Sequence, residues 1–162
     1  MDDADPPPDG AGAPAVPAAS SSQLRSRGVT HRYPRGSVLC REQQPSDAVF
    51  LLQAGRVKVS YLAPEGREVV LALRGPGDVI GELGVLDGGP RSATVTALDD
   101  VEAVVVPAAR YRDLVASDPE LSLRLLRLVI GRLRNSDRMV VEHGAYDASR
   151  RVAIRLLELA ER

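Results

Sequence analysis

The chain has 162 residues, of which 44% are hydrophobic, enough to bury one ordinary core but too few for two full-sized domains. Its 21 basic and 22 acidic side chains give a formal net charge of -1, so the chain lacks the overall positive charge typical of proteins that wrap nucleic acid or coat an anionic membrane. The single cysteine, Cys40, excludes an intrachain disulfide, and we therefore expect a cytoplasmic protein.

Residues 1–24 are predicted to form a disordered tail. Ala, Pro, Gly, Asp and Ser dominate this segment, which has too few large apolar side chains to offset the entropy lost on ordering. Its early aspartates and prolines do not fit a secretory signal, and no stretch of the chain has the length of a membrane span. We therefore expect no membrane partner.

Residues 25–118 are predicted to form a β-domain. Between Arg32 and Val106, short runs rich in β-branched residues alternate with turns that contain glycine or proline. This pattern is typical of an all-β roll or barrel. One helical turn is predicted at residues 82–86. The predicted strands are residues 49–53, 57–62, 68–73, 92–97 and 101–106.

Helical periods replace the strand pattern after Pro107. A first helix follows this proline, and Ser117-Asp118-Pro119 is a cap signal for a second, long helix over residues 119–145. Apolar residues recur along the long helix at alternating spacings of three and four, as in two parallel helices that pack together. This seam comprises Leu126, Val129 or Ile130, Leu133, Ser136 or Asp137, Val140 and His143. It favours a homodimer through residues 119–145, and the alternative is a helix packed on its own β-domain.

Residues 146–162 are predicted to contain a third helix. Its apolar residues alternate with arginines, and a helix so apolar on one side needs something to bury against. We therefore expect the first helix of a second small domain that is incomplete in this chain.

The segment from Gly81 to Ala97 carries the strongest functional signal. Glu82 and Arg91 lie in an otherwise apolar stretch between glycine-rich turns, and buried charges need partners. A cyclic nucleotide would supply them, because Glu82 can accept a hydrogen bond from a ribose hydroxyl while Arg91 and Ser92 donate to the phosphate. Gly81 allows close backbone approach, and the turn of helix after it can direct N–H groups at the phosphate. Alternatively, Glu82 complements a helix N-terminus, and Arg91 is solvated or pairs with Glu82.

These motifs carry a family resemblance. Gly81-Glu82-Leu83 followed by Pro90-Arg91-Ser92-Ala93-Thr94-Val95 resembles the cyclic nucleotide-binding domain of the cyclic AMP receptor protein and fumarate-nitrate regulator superfamily. The similarity extends from Tyr33 to Arg162. It implies a mainly β fold with C-terminal helices: an eight-stranded jelly-roll β-roll, then a long dimerisation helix. It also implies a DNA-binding domain of which this chain holds only the first helix.

The same resemblance implies a ligand and its contacts. The ligand is cyclic AMP or cyclic GMP, acting as an effector and not as a cofactor. The implied contacts are Gly81, Glu82, Leu83, Arg91 and Ser92 for the ribose and phosphate, and Val59, Leu71, Ser136 and Asp137 for the base. Asp137, which would reach the base from the other subunit, replaces a hydroxyl residue of the cyclic AMP receptor, so the choice between adenine and guanine stays open. Alternatively, Ser136 and Asp137 form a polar break that sets the register of the helix pair.

These expectations describe a sensor without catalytic activity, the regulatory domain of a transcriptional regulator in which ligand binding changes the helix dimer. DNA would be bound only by the missing C-terminal domain. The alternative is a non-catalytic dimerisation or interaction module in which the segment from Gly81 to Ala97, called the cassette below, binds no nucleotide. His31 and His143 are too distant for a metalloenzyme of the cupin sort and, with Cys40, too few for haem or an iron–sulfur cluster. No nucleophile has a neighbouring base, so we expect no enzyme and no metal.

Overall fold

The computed structural model describes residues 18–145, with side-chain environments for residues 21–131, 133 and 134. The described residues form eight strands and four helices. In chain order these are α1 (Ala18–Arg25), β1 (Val29–Tyr33), β2 (Val38–Cys40), β3 (Ala48–Ala54), β4 (Val57–Leu62), β5 (Glu68–Arg74), β6 (Val79–Ile80), α2 (Glu82–Asp87), β7 (Thr94–Ala97), β8 (Val101–Pro107), α3 (Ala108–Ser117) and α4 (Pro119–Ala145).

The strands form two antiparallel sheets of four strands each. One sheet has the order β1-β8-β3-β6, and the other has the order β2-β7-β4-β5. Phe50 and Leu52 from the first sheet meet Val57 and Val95 from the second in a shared hydrophobic core. Each sheet buries the apolar face that its alternating sequence provides, as in other stacked sheets. This arrangement confirms the predicted mainly β jelly-roll with C-terminal helices.

The five strands predicted from sequence are present, and three more were not predicted. The strand predicted at residues 92–97 is β7, which begins at Thr94 because residues 91–93 still belong to the loop that follows α2. The strands missed by sequence reasoning are β1, which is largely exposed, and β2 and β6, which have three and two residues. These segments are strands because they hydrogen-bond to neighbouring strands. Taken alone, each is too short or too polar to show the alternating pattern of a strand.

The predicted disordered tail is wrong at its C-terminal end. Residues 18–24 lie in α1, and the part of the prediction that covers residues 1–17 lies outside the described residues. Leu24 supplies the physical reason, because its side chain is fully buried where α1 packs on β3 and β8. One large apolar residue at the end of a polar segment therefore anchors a helix that composition did not predict.

Asp118 ends one helix and begins the next. Its N–H donates to the carbonyl of Leu114 at the end of α3, and its carboxylate Oδ1 accepts from the N–H of Leu121, 3.0 Å away, in the first turn of α4. The Leu121 N–H holds the pKa of Asp118 below its ordinary value. The capping role predicted from Ser117-Asp118-Pro119 is confirmed.

The helix α4 covers the residues predicted for the long helix, whereas its role in dimerisation stays a prediction. The described residues fall in two compact units, residues 18–124 and residues 125–145. The third helix predicted within residues 146–162 lies outside the described residues. No helix in the described range is long and apolar enough to cross a membrane.

Candidate functional site

The cassette predicted from sequence forms a strand, a short helix and a loop. Strand β6 ends at Ile80, and Gly81 turns the chain into α2 with a left-handed φ of 79°. A side chain at position 81 would be strained by this φ and would overlap the guanidinium Nη1 of Arg91. Gly88 ends α2 in the same left-handed conformation. The glycines therefore decide where the cassette helix begins and ends.

Arg91 is the centre of the site. Its side chain is 3% exposed, so its charge is removed from water. The Nη1 group donates to the carbonyl of Gly81, and Nη2 donates both to the carbonyl of Ala48, at 2.7 Å, and to Oδ1 of Asp47, at 3.1 Å. Within the described residues, the Nε–H has no acceptor. A buried arginine with an unused donor is unfavourable until an acceptor reaches it.

The loop before β3 clamps the backbone of Arg91. The N–H of Arg91 donates to the carbonyl of Gln44, at 2.8 Å, and its own carbonyl accepts from the N–H of Gln43, at 2.9 Å. Gln43 has a left-handed φ of 64°, which is unfavourable for a residue with a Cβ. Such strain persists only where surrounding contacts impose it, and it concentrates at functional sites.

A cavity of about 350 Å³ opens beside Arg91. Phe50 forms part of its wall and lies under the guanidinium, with the ring centroid 5.5 Å from Cζ, a distance at which a cation is attracted to the face of an aromatic ring. A cavity of this volume with a buried cationic donor in its wall suits a small organic anion. Its lining residues are Tyr33, Leu39, Cys40, Gln44, Pro45, Asp47, Ala48, Phe50, Arg91 and Val105.

Two ionisable groups in this wall are neutral at physiological pH. Burial raises the pKa of the Cys40 thiol, and the nearby positive charge of Arg91 offsets only part of that rise. Burial also raises the pKa of the Tyr33 hydroxyl. Because both groups remain protonated, the charged side chains that line the cavity are Arg91 and Asp47.

The structure brings some predicted ribose and phosphate residues together and leaves others apart. Glu82 is fully buried at the start of α2, close in sequence to the Gly81 carbonyl that Arg91 contacts. Leu83 and Ser92 are exposed. Of the predicted phosphate and ribose contacts, Arg91 alone is among the residues that line the cavity. The alternative of a solvated Arg91 is excluded by its burial.

The predicted base residues of the β-domain lie beside each other on two paired strands. Val59 of β4 packs against the core, and the register between β4 and β5 shifts between Val59 and Ser60. Leu71 is the residue of β5 left without an opposite partner at this shift, and it is exposed. Such bulges redirect side chains and are common near binding sites. The side chains of Ser136 and Asp137 lie outside the described residues.

Comparison with known proteins identifies the family. Residues 30–118, more than half of the chain, match the cyclic nucleotide-binding domain family. The chain belongs to this family. A "CRP-like cAMP-activated global transcriptional regulator" of Mycobacterium tuberculosis is 38% identical over 130 residues, which cover 80% of this chain and 58% of the relative. The cyclic nucleotide-binding chain therefore spans less than two thirds of the length of that regulator.

Solved structures agree with this assignment. The Thermus thermophilus catabolite activator protein superposes with a TM-score of 0.69 at 29% identity, over 77% of this chain and 59% of that one. The N-terminal domain of a transcriptional regulator from Streptomyces coelicolor gives a TM-score of 0.58 at 35% identity, over 78% of this chain and 88% of that one. Both neighbours share the fold of this chain, and the predicted resemblance is confirmed.

Sequence reasoning missed the residues that hold Arg91 and most of the residues that line the cavity. The segment from Gln43 to Ala48 holds both the backbone and the side chain of Arg91, yet it lies more than forty residues earlier in the chain. The available signal was Gln-Gln-Pro-Ser-Asp directly before a strongly apolar strand. That run predicts a turn, but nothing in it predicts that the turn packs against Arg91.

Proposed function

We propose that this chain is the regulatory domain of a transcriptional regulator and that it binds a cyclic purine nucleotide, cyclic AMP or cyclic GMP. The observation that carries the proposal is the burial of Arg91 at the edge of a cavity. Its Nε–H group has no acceptor among the described residues. A cyclic phosphate offers the single negative charge and the exposed oxygens that such a group needs. No catalytic step is part of this function.

The neighbouring cassette residues supply the remaining contacts of the proposal. Buried Glu82 is the acceptor for the ribose hydroxyl, with Gly81 allowing the ligand to approach the backbone. Ser92, exposed beside Arg91 in the chain, adds a hydroxyl to the phosphate, and Leu83 covers the sugar. Each of these roles rests on the family motif. Gly81 and Ser92 are also close to Arg91, the first through its carbonyl and the second in the chain.

The base is the less determined part of the ligand. Val59 and Leu71 lie at the β4–β5 bulge, where apolar side chains can contact a purine. Ser136 and Asp137 of α4 remain the proposed polar contacts to the base. The Mycobacterium tuberculosis relative is described as cAMP-activated, which makes cyclic AMP the first ligand to test, with cyclic GMP beside it.

The long helix is the proposed route of the signal. Leu126, Ile130 and Leu133 are large apolar side chains at spacings of four and three, and all three are exposed on α4. Exposed apolar residues at this spacing support pairing of α4 with the same helix of a second copy. Nucleotide binding would favour one arrangement of the helix pair over another, and a C-terminal DNA-binding domain in the whole protein would respond.

Calorimetric titration with cyclic AMP and cyclic GMP tests the proposal. We expect saturable binding by the chain and a loss of at least about 100-fold in affinity for Arg91→Ala, because two hydrogen bonds from a charged donor are lost. Arg91→Lys keeps the charge without the planar fork, so we expect an intermediate loss.

Arg32→Ala is the matched control. Arg32 is an exposed arginine of β1 that pairs with Glu102 at the surface, and its removal should leave the affinity within about twofold. Circular dichroism confirms that each variant folds. No binding by the folded chain, or unchanged binding by Arg91→Ala, would refute the sensor function. The interaction-module alternative would then predict an intact dimer without nucleotide binding.

A further inference from the structure

The carboxylate of Asp47 competes for the nitrogen of Arg91 that a phosphate needs. Asp47 Oδ1 accepts from Nη2 of Arg91 at 3.1 Å. The other acceptor at Nη2 is the carbonyl of Ala48, at 2.7 Å. Nη2 carries two N–H groups, so these two acceptors use its full capacity.

A guanidinium can bind an anion through two parallel hydrogen bonds along only two edges. One edge joins Nε to Nη2, and the other joins Nη1 to Nη2, so both edges contain Nη2. Nε of Arg91 has no acceptor within the described residues, but its partner on that edge is occupied. A bidentate phosphate contact with Arg91 therefore requires Nη2 to release Asp47 or Ala48.

Asp47 is the partner that is easier to release. Its side chain is 84% exposed, so the freed carboxylate is solvated by water. The Ala48 carbonyl belongs to β3, where Ala48 pairs with Pro107 of β8, and it is only partly exposed, so water would replace its donor less readily. We propose that Asp47 is the counter-anion that the nucleotide phosphate replaces on Arg91, so that this residue limits affinity and favours singly charged phosphate ligands. This inference rests on the proposed function of the site.

The preference for a single charge follows from where Asp47 stays after the exchange. Its backbone carbonyl accepts from the N–H of Ala108 at 2.8 Å, which keeps the residue next to the site. The displaced carboxylate therefore repels the bound phosphate, and this repulsion is twice as large for a doubly charged group. A cyclic phosphodiester carries one charge, whereas an open 5′-monophosphate carries nearly two at neutral pH.

The test is titration of the full chain and of Asp47→Asn with cyclic AMP, cyclic GMP and 5′-AMP. We expect Asp47→Asn to bind the cyclic nucleotides about two- to fivefold more tightly, the range that corresponds to loss of one partly exposed ion pair. The gain for 5′-AMP should be larger. Asp47→Glu keeps the charge and should stay within about twofold of the original chain.

Asp113→Asn is the matched control, since it removes the same charge from an exposed position on α3. Weaker or unchanged binding by Asp47→Asn would overturn the inference, as would an equal gain in Asp113→Asn. If the original chain binds nucleotide tightly and Asp47→Asn shows no gain, the counter-anion role of Asp47 is refuted and the proposed function stands. No nucleotide binding by either protein refutes the proposed function, and the counter-anion role falls with it.

Discussion

Gly81 has two roles: it adopts a left-handed backbone conformation, and it leaves space for the guanidinium of Arg91. Comparing Gly81→Ala with Gly88→Ala separates them. Gly81 has a φ of 79°, and an added Cβ would overlap Nη1 of Arg91. Gly88 has a nearly equal φ of 76° at the other end of α2, but a Cβ there has no heavy atom within 4 Å. Gly81→Ala and Gly88→Ala therefore share the backbone strain, and only the first disturbs Arg91.

Gly81→Ala should destabilise the chain more than Gly88→Ala, because only Gly81 contacts Arg91. The left-handed conformation costs an L-residue about 1–2 kcal/mol, which is the expected effect of Gly88→Ala. In Gly81→Ala the guanidinium must also move, and loss of its bond to the Gly81 carbonyl adds about 1.5–3 kcal/mol for a charged donor. The total for Gly81→Ala is therefore about 2.5–5 kcal/mol.

Urea denaturation followed by circular dichroism measures both free energies of unfolding, and nucleotide titration reports on the site. We expect Gly81→Ala to lose at least about tenfold in nucleotide affinity, equivalent to about 1.4 kcal/mol, while Gly88→Ala stays within about twofold. Equal destabilisation by the two variants would show instead that the chain accommodates a Cβ at position 81 without moving Arg91.

Two further predictions concern the stability of the chain. Asp118→Ala removes the cap of α4 and should lower the melting temperature at pH 7 more than Asp113→Ala does. The Leu121 N–H lowers the pKa of Asp118, so the cap stabilises the folded chain above about pH 3.9. This stabilisation is lost as the pH falls further. A difference between these variants that persists unchanged at pH 2 would contradict the assignment. Val57→Ala should cost about 2 kcal/mol in the core, where Val57 is 0% exposed, whereas Val70→Ala, at 53% exposure on β5, should stay within about 0.5 kcal/mol. Similar urea midpoints for the two valine variants would rule out the buried core described for β4.

The local signals of the sequence were sufficient for the longer elements. Strands such as β3 and β4 have continuous or alternating apolar residues over five or six positions, and Asp118-Pro119 marks the start of α4 by cap chemistry that needs no distant partner. The elements that the sequence did not predict, α1 and β6 among them, are short or polar. Their stability comes from neighbours elsewhere in the chain, which a local pattern does not contain.

For the site, the residue types and their order can be read from the sequence: a glycine that turns the chain, a glutamate after it, and an arginine nine positions later in an apolar setting. These features follow from backbone freedom and from the need of buried charges for partners, both of which are properties of single residues. That Arg91 is held by Asp47 and Ala48 beside a cavity walled by Phe50 follows from the fold and from no local pattern. Those contacts join residues more than forty positions apart in the chain, and the packing of the two sheets brings them together.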